Sequence, residues 1–188
     1  GTVVPVATTF DDDFALDPRA VEAAITPRTK ALFLGYPANP TGAVLDDDVR
    51  DELARIARAH DLLVYSDEIY DRLAYGTYEH RAMSSLPGMR ERTILMGGFS
   101  KAYAMTGWRI GYCGGPREII TAMSTIQGQS TSNAASMSQK AAVVALAGDQ
   151  RCVATMNEAF HARHDFVVAG LNTIPGIACL GGLGTFYA

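Results

Sequence analysis

Only three of the 188 residues are cysteine (Cys113, Cys152 and Cys179). An odd number at wide spacing leaves no disulfide framework and no CxxC metal site, so no metal is expected and a reducing, cytoplasmic compartment is. Basic runs are missing too: 16 Lys and Arg face 20 Asp and Glu, for a net charge of −4. That balance excludes the electrostatic footprint of a nucleic-acid binder. No apolar stretch approaches the roughly 20 residues that a bilayer-spanning helix requires, and no signal-peptide pattern opens the sequence, so no membrane partner is expected. Charge of either sign is scarce, 19% against about 25% in ordinary soluble domains, so part of the surface is expected to be covered by other protein. Apolar residues are plentiful at 48%. That rules out disorder, and the length suffices for a sizeable core.

Short apolar runs alternate with helical patterns, the sign of an α/β fold with a mostly parallel sheet. Strands are predicted at Val3 to Thr9, Ala31 to Tyr36, Leu62 to Tyr65, Thr93 to Met96 and Arg109 to Cys113. Between the second and third, a helix capped by Asp46 or Asp47 carries Val49, Leu53, Ile56 and Ala57 on one face. From Pro116 onward the pattern is helical. One helix carries Ile119, Met123 and Ile126, and a second runs from Ala134 to Ala147 and stops at Gly148. A long third has Val153, Met156, Phe160, Val167 and Leu171 on one side and ends near Thr173. Ile177 to Ala188 reads as the start of a new strand-bearing unit. The expected division is a domain over residues 1–148, then a linking helix and an incomplete second domain over 149–188.

Ligands of open α/β sheets sit at the carboxyl ends of the strands. Three polar clusters fall there: Asn39-Pro40-Thr41-Gly42, Asp67-Glu68-Ile69-Tyr70 and Ser100-Lys101. Lys101, one of only three lysines, follows an apolar strand and a Gly-Gly pair; partial desolvation there would make its amine a nucleophile. Taken alone, it would read as a surface lysine on a loop; the motifs around it change that reading. Asp67 ends a buried strand, where an unpaired carboxylate is expensive, so it needs a cation. Its other reading, with Glu68, is a helix N-cap. Glu68 should point the opposite way. Tyr70 could face the same ligand as Asp67 if the chain turns into a helix there. Arg109, between Gly107 and Gly111, can grip a phosphate bidentately, helped by the Ser100 hydroxyl, or form a structural ion pair. Gly181, Gly182 and Gly184 match no dinucleotide fingerprint and read as turns. His161 and His164 lack a carboxylate of zincin type and read as solvated.

Three motifs occur in order: Pro37-Ala38-Asn39-Pro40-Thr41-Gly42, Ser66-Asp67-Glu68-Ile69-Tyr70, and Ser100-Lys101 through Met105-Thr106-Gly107-Trp108-Arg109-Ile110-Gly111-Tyr112. Together they resemble the class I/II aminotransferases, pyridoxal-phosphate (PLP) enzymes of fold type I, across essentially the whole chain. The run Ile126-Gln127-Gly128-Gln129-Ser130-Thr131-Ser132-Asn133 is similar to the bacterial aspartate aminotransferase branch, which also holds prephenate and aromatic aminotransferases. The resemblance implies a three-layer αβα large domain followed by the beginning of a smaller α+β domain. It implies that Lys101 holds PLP as an internal aldimine, that Asp67 pairs with the pyridinium nitrogen, and that Asn39 and Tyr70 bond the phenolic oxygen. Ser100 and Arg109 would hold the phosphate. The implied reaction transfers an amino group between an L-amino acid, aspartate or glutamate preferred, and a 2-oxo acid. The implied assembly is a homodimer, with Ser132-Asn133 near the partner's site. The alternatives are an aromatic or prephenate aminotransferase, a carbon–sulfur lyase, or a PLP-binding sensor without turnover. The family's N-terminal phosphate loop and the arginine that binds the substrate α-carboxylate have no counterpart in these residues.

Overall fold

Four strands, β1 (Ala31–Gly35), β2 (Leu63–Asp67), β3 (Thr93–Gly98) and β4 (Gly111–Gly114), make one sheet in that order. The first three are parallel, and β4 pairs antiparallel with β3. Five α-helices accompany the sheet: α1 (Pro18–Ala23), α2 (Asp47–Ala59), α3 (Arg117–Ser130), α4 (Ser136–Ala147) and α5 (Arg151–Leu171). The computed structural model describes residues 1–188, and its mostly parallel sheet with flanking helices is the expected α/β architecture. No helix is long and apolar enough to cross a membrane.

Alternate residues of a strand turn to opposite faces, and the β1–β2–β3 register places Leu34, Ser66 and Leu95 in line. Leu34 and Val64 pack under α2 with Leu53, Ala54 and Ala57, and Leu16, Val21, Leu45, Met83, Leu86 and Met89 extend the cluster. Fully buried aliphatic side chains contribute roughly 1.5–3 kcal/mol each. Because Leu53, Val64 and Met89 are completely buried, this cluster anchors the strands whose ends carry the polar motifs. α2 begins as expected: Asp46 is the N-cap in extended backbone, and Asp47 and Asp48 in the first turn complement the helix dipole. Arg50 is buried beneath it, paired with Asp47 and donating to the Leu45 carbonyl at 2.6 Å.

Several expectations need correction. Val3 to Thr9 is not a strand: it joins no ladder, Pro5 interrupts its donors, and Val3 is 88% exposed. The last strand starts at Gly111 rather than Arg109, because Arg109 adopts a left-handed φ of 49° at the end of a 3-10 turn over Thr106–Trp108. The apolar spacing of α3 marks a face that the chain covers only at its start: Ile119 is half-buried, whereas Met123 and Ile126 are exposed and α3 has no buried residue. His164 is buried rather than solvated, and His161 stacks on Tyr75 at 4.7 Å between ring centres.

The final segment forms no regular strand but a strap across the polar rim. Tyr75 N–H donates to the Leu183 carbonyl at 2.8 Å, Thr185 N–H to Leu73 at 2.8 Å, and Gly184 N–H to Gly42 at 3.1 Å. Gly182 and Gly184 are sites of close backbone approach, not plain turns. A Cβ on Gly184 would stand 2.5 Å from the Pro37 Cβ, and one on Gly182 would stand 2.8 Å from the Gly42 Cα.

Candidate active site

Because β1, β2 and β3 are parallel, the segments following them emerge on one rim, with Gly35, Asp67 and Met96 in register at its base. Beyond β3, buried Phe99, Ala102 and Met105 fix a tight turn in which the Phe99 carbonyl accepts from Tyr103 N–H (3.3 Å) and Met105 N–H (3.2 Å). This leaves Ser100 and Lys101 half-buried at the rim. The Lys101 ammonium lies beside a pair of edge-packed aromatic rings, 5.3 Å from the centre of Tyr70 and 5.1 Å from that of Phe186, which are 5.6 Å from each other.

At the end of β2 the chain enters turns rather than a helix: Asp71 N–H returns to the Glu68 carbonyl (3.0 Å) and Leu73 N–H to Tyr70 (2.9 Å). Tyr70 therefore reaches the amine from a buried turn position, and Asp67 caps no helix. The Asp67 carboxylate is half-buried and accepts from Ile69 N–H at 3.2 Å. Glu68 turns the other way, as alternation requires. Its buried carboxylate accepts from Ser66 Oγ (2.8 Å) and Met83 N–H (3.1 Å) and bonds His80 Nε2 (2.7 Å). A cavity of about 480 Å³ opens on that side, lined by Glu68, Asp71, His80, Leu95 and Tyr112. Burial pushes the Asp71 carboxyl above its usual range there.

Arg109 is exposed and its guanidinium donates to the Thr106 carbonyl at 2.8 Å, so it is not half of an ion pair. Asn39 is exposed in the loop after β1. Of the six residues singled out in the sequence, Lys101 and Tyr70 lie against one another. Asn39, Asp67, Ser100 and Arg109 border the same rim without a mutual hydrogen bond. Neither Asp67, Lys101 nor Arg109 has an oppositely charged partner.

Two residues at this site escaped the sequence reading. Phe186 walls the Lys101 amine, and the Tyr187 hydroxyl lies 3.0 Å from that of Tyr70. Their only sequence signal was the aromatic pair that follows closely spaced glycines. The Tyr70 hydrogen bond, joined by burial, raises the Tyr187 hydroxyl above its ordinary range, while Lys101 pulls it down.

Comparison with known proteins covers the whole chain. The family described as aminotransferase class I and II matches residues 1–188. An aspartate/prephenate aminotransferase of Nitrosomonas europaea is 45% identical over 190 residues, covering 100% of this chain and 48% of that protein. An aspartate aminotransferase of Pinus pinaster is 44% identical, covering 99% and 39%. The crystal structure of the aspartate aminotransferase from Rhizobium meliloti superposes with a TM-score of 0.93 at 41% identity, over 97% of this chain and 46% of that one. The chain thus spans about half the length of these relatives. With its whole length matched and its rim bearing the expected lysine, acid and tyrosine, this chain belongs to the aminotransferase class I and II family.

Proposed function

We propose that the chain carries the cofactor-binding core of a PLP-dependent aminotransferase, which moves an amino group between an L-amino acid and a 2-oxo acid. Aspartate or glutamate is the proposed donor, as the names of the relatives suggest. One observation carries the reading. A carboxylate without a cation (Asp67) and two cations without a carboxylate (Lys101 and Arg109) border one rim. A protonated pyridine, an aldehyde and a phosphate are their chemical complements, so the residues present fit PLP.

When bound, PLP supplies an electron sink for the pair released as the amino acid loses its Cα proton. Asp67 holds the proton on the ring nitrogen, since a carboxylate there keeps the neighbouring cation charged. Lys101 tethers the cofactor and moves the Cα proton. Asn39 and Tyr70 donate to the phenolic oxygen, while Ser100 and Arg109 bind the phosphate, for which a guanidinium is well shaped.

Residues 1–148 are the proposed cofactor-binding unit, with 149–188 leading into a smaller domain. A homodimer in the cytoplasm completes the proposal. It is supported by the free cysteines and by apolar side chains left open on α3 and α4, among them Ile126, Met137 and Val144. Prephenate is a second candidate acceptor because the Nitrosomonas relative is named for it.

Borohydride reduction of the PLP-loaded protein followed by peptide mapping should label Lys101 alone, and Lys101→Ala should abolish the label. Aspartate should then convert the absorbance of the bound cofactor to that of its amine form. Release of pyruvate or ammonia would instead show a lyase. Binding without conversion would show a sensor.

A further inference from the structure

We infer that Tyr187 is a positioning residue of this site and acts on the Lys101 centre through the hydroxyl of Tyr70; the inference rests on the reading of Lys101 and Tyr70 as cofactor-facing. The two hydroxyls are 3.0 Å apart, and neither has another hydrogen-bond partner. Each carries one proton to donate. If Tyr70 spends its proton on Tyr187, it has none for an acceptor beside Lys101. If Tyr187 donates to Tyr70, the Tyr70 proton is free to point onward. An anionic oxygen beside Lys101 selects the second arrangement, a chain from Tyr187 to Tyr70 to that oxygen. In such a chain each bond polarises the next.

The strap holds Tyr187 at this point. Thr185 is fully buried, its N–H and carbonyl are bonded to Leu73 and to the Tyr75 hydroxyl, and its Oγ1 accepts from Tyr187 N–H at 3.3 Å. Its φ of 66° is a left-handed conformation that a β-branched residue adopts only when its surroundings impose it. Such strain directly beside a rim carrying uncompensated charges is consistent with a segment placed for function. Tyr187 also sits in an aromatic cluster, with ring centres 4.9 Å from Phe186 and 6.1 Å from Tyr70. The titratable groups facing its hydroxyl are Tyr70 and Lys101.

The test is Tyr187→Phe in the full-length protein loaded with PLP. It is read as the pH midpoint of the visible band of the Lys101-bound cofactor, with no substrate present. Losing the Tyr187 proton weakens the Tyr70 donation, so the linkage keeps its own proton to higher pH. Cooperative strengthening of roughly 10–30% of one charge-assisted hydrogen bond corresponds to an upward shift of about 0.1–0.7 pH unit. Tyr70→Phe should shift the midpoint further, and the double variant should match Tyr70→Phe alone. A Tyr187→Phe curve that superimposes on the parent overturns the inference, as does an additional shift in the Tyr70→Phe background. If Tyr70→Phe also leaves the midpoint unmoved, the underlying reading of the site fails as well, which separates the two failures. The phenyl ring keeps the aromatic packing, and unchanged near-ultraviolet circular dichroism verifies this.

Discussion

Replacing Glu68 with alanine tests what holds the rim in place. The side chain is 5% exposed and its carboxylate serves Ser66 Oγ, Met83 N–H and His80 Nε2 at 2.8, 3.1 and 2.7 Å. These partners come from β2, from the segment packed under α2 and from the loop between them, so one carboxylate ties three pieces of chain together. Alanine strands the Met83 N–H and the His80 ring nitrogen; the Ser66 hydroxyl can rotate. The His80 ring has no second bond to fall back on, because its Nδ1 already lacks a partner. Each stranded buried group costs about 1–3 kcal/mol. Water admitted from the adjoining cavity relieves part of this, leaving a net loss of about 2–4 kcal/mol. With a urea m-value near 2 kcal/mol/M, the unfolding midpoint of the full-length protein, followed by far-ultraviolet circular dichroism, should fall by about 1–2 M. Glu68→Gln keeps an acceptor for Met83 and Ser66 and should lose less than half as much. A Glu68→Ala midpoint within about 0.3 M of the parent would refute the reasoning.

Asp67→Ala should leave a protein that still forms the borohydride-trappable Lys101 adduct. Its single-turnover rate with aspartate should fall by roughly a hundredfold or more, as for other lost electrostatic partners of developing charge; an unchanged rate would remove Asp67 from the ring nitrogen. Gly184→Ala places a Cβ 2.5 Å from the Pro37 Cβ and 3.2 Å from the Leu73 carbonyl. The strap should lift, and PLP affinity measured by fluorescence titration should drop at least tenfold; parental affinity would show that the strap is dispensable. At alkaline pH the Tyr75 hydroxyl is pushed up to about 12, by burial first and by the Asp165 charge second, and burial also raises Tyr36, Tyr78 and Tyr112. Folded-state values above the unfolded value of about 10 mean stability that is intact below pH 10 and lost as pH rises toward 12. Thermal midpoints between pH 9 and 12 should show that loss, and Tyr75→Phe should make it shallower.

How much was legible in the sequence depends on whether a feature was local. β1, β2 and β3 were readable because each is a continuous apolar run ended by a Gly, Pro or acidic residue, and α2 was readable because Leu53, Ile56 and Ala57 share one face. The placing of Asn39, Asp67, Ser100 and Lys101 on one rim followed from parallel strands alone. What failed was non-local. Val3 to Thr9 has strand composition but no neighbour to pair with. His164 is buried by Tyr75, which lies 89 positions earlier in the sequence. The strap glycines were recognised as punctuation, but that Gly182 and Gly184 abut Gly42 and Pro37 could not be read from either segment by itself. Phe186 and Tyr187 were missed with them: an aromatic pair announces burial, not the side chain it is buried against.

Asp67 and Glu68 show how one strand end can support both scaffold and chemistry. Successive residues of a strand face opposite sides, so adjacent acids meet different surroundings. Glu68 turns into the packed side, where Ser66, His80 and Met83 satisfy its carboxylate. Asp67 turns to the rim, where its carboxylate is left without a cation. Exchanging those roles would require a one-residue slip of β2, which would also drive Val64 and Ser66 out of the face under α2 and expose part of the core. The core thus sets which acid is free to act. The two variants should accordingly separate: Glu68→Ala should move the unfolding midpoint far more than the rate per folded molecule, and Asp67→Ala the reverse. Equal effects on both quantities in both variants would mean that the two carboxylates share one environment, contrary to the alternation on which the site is built.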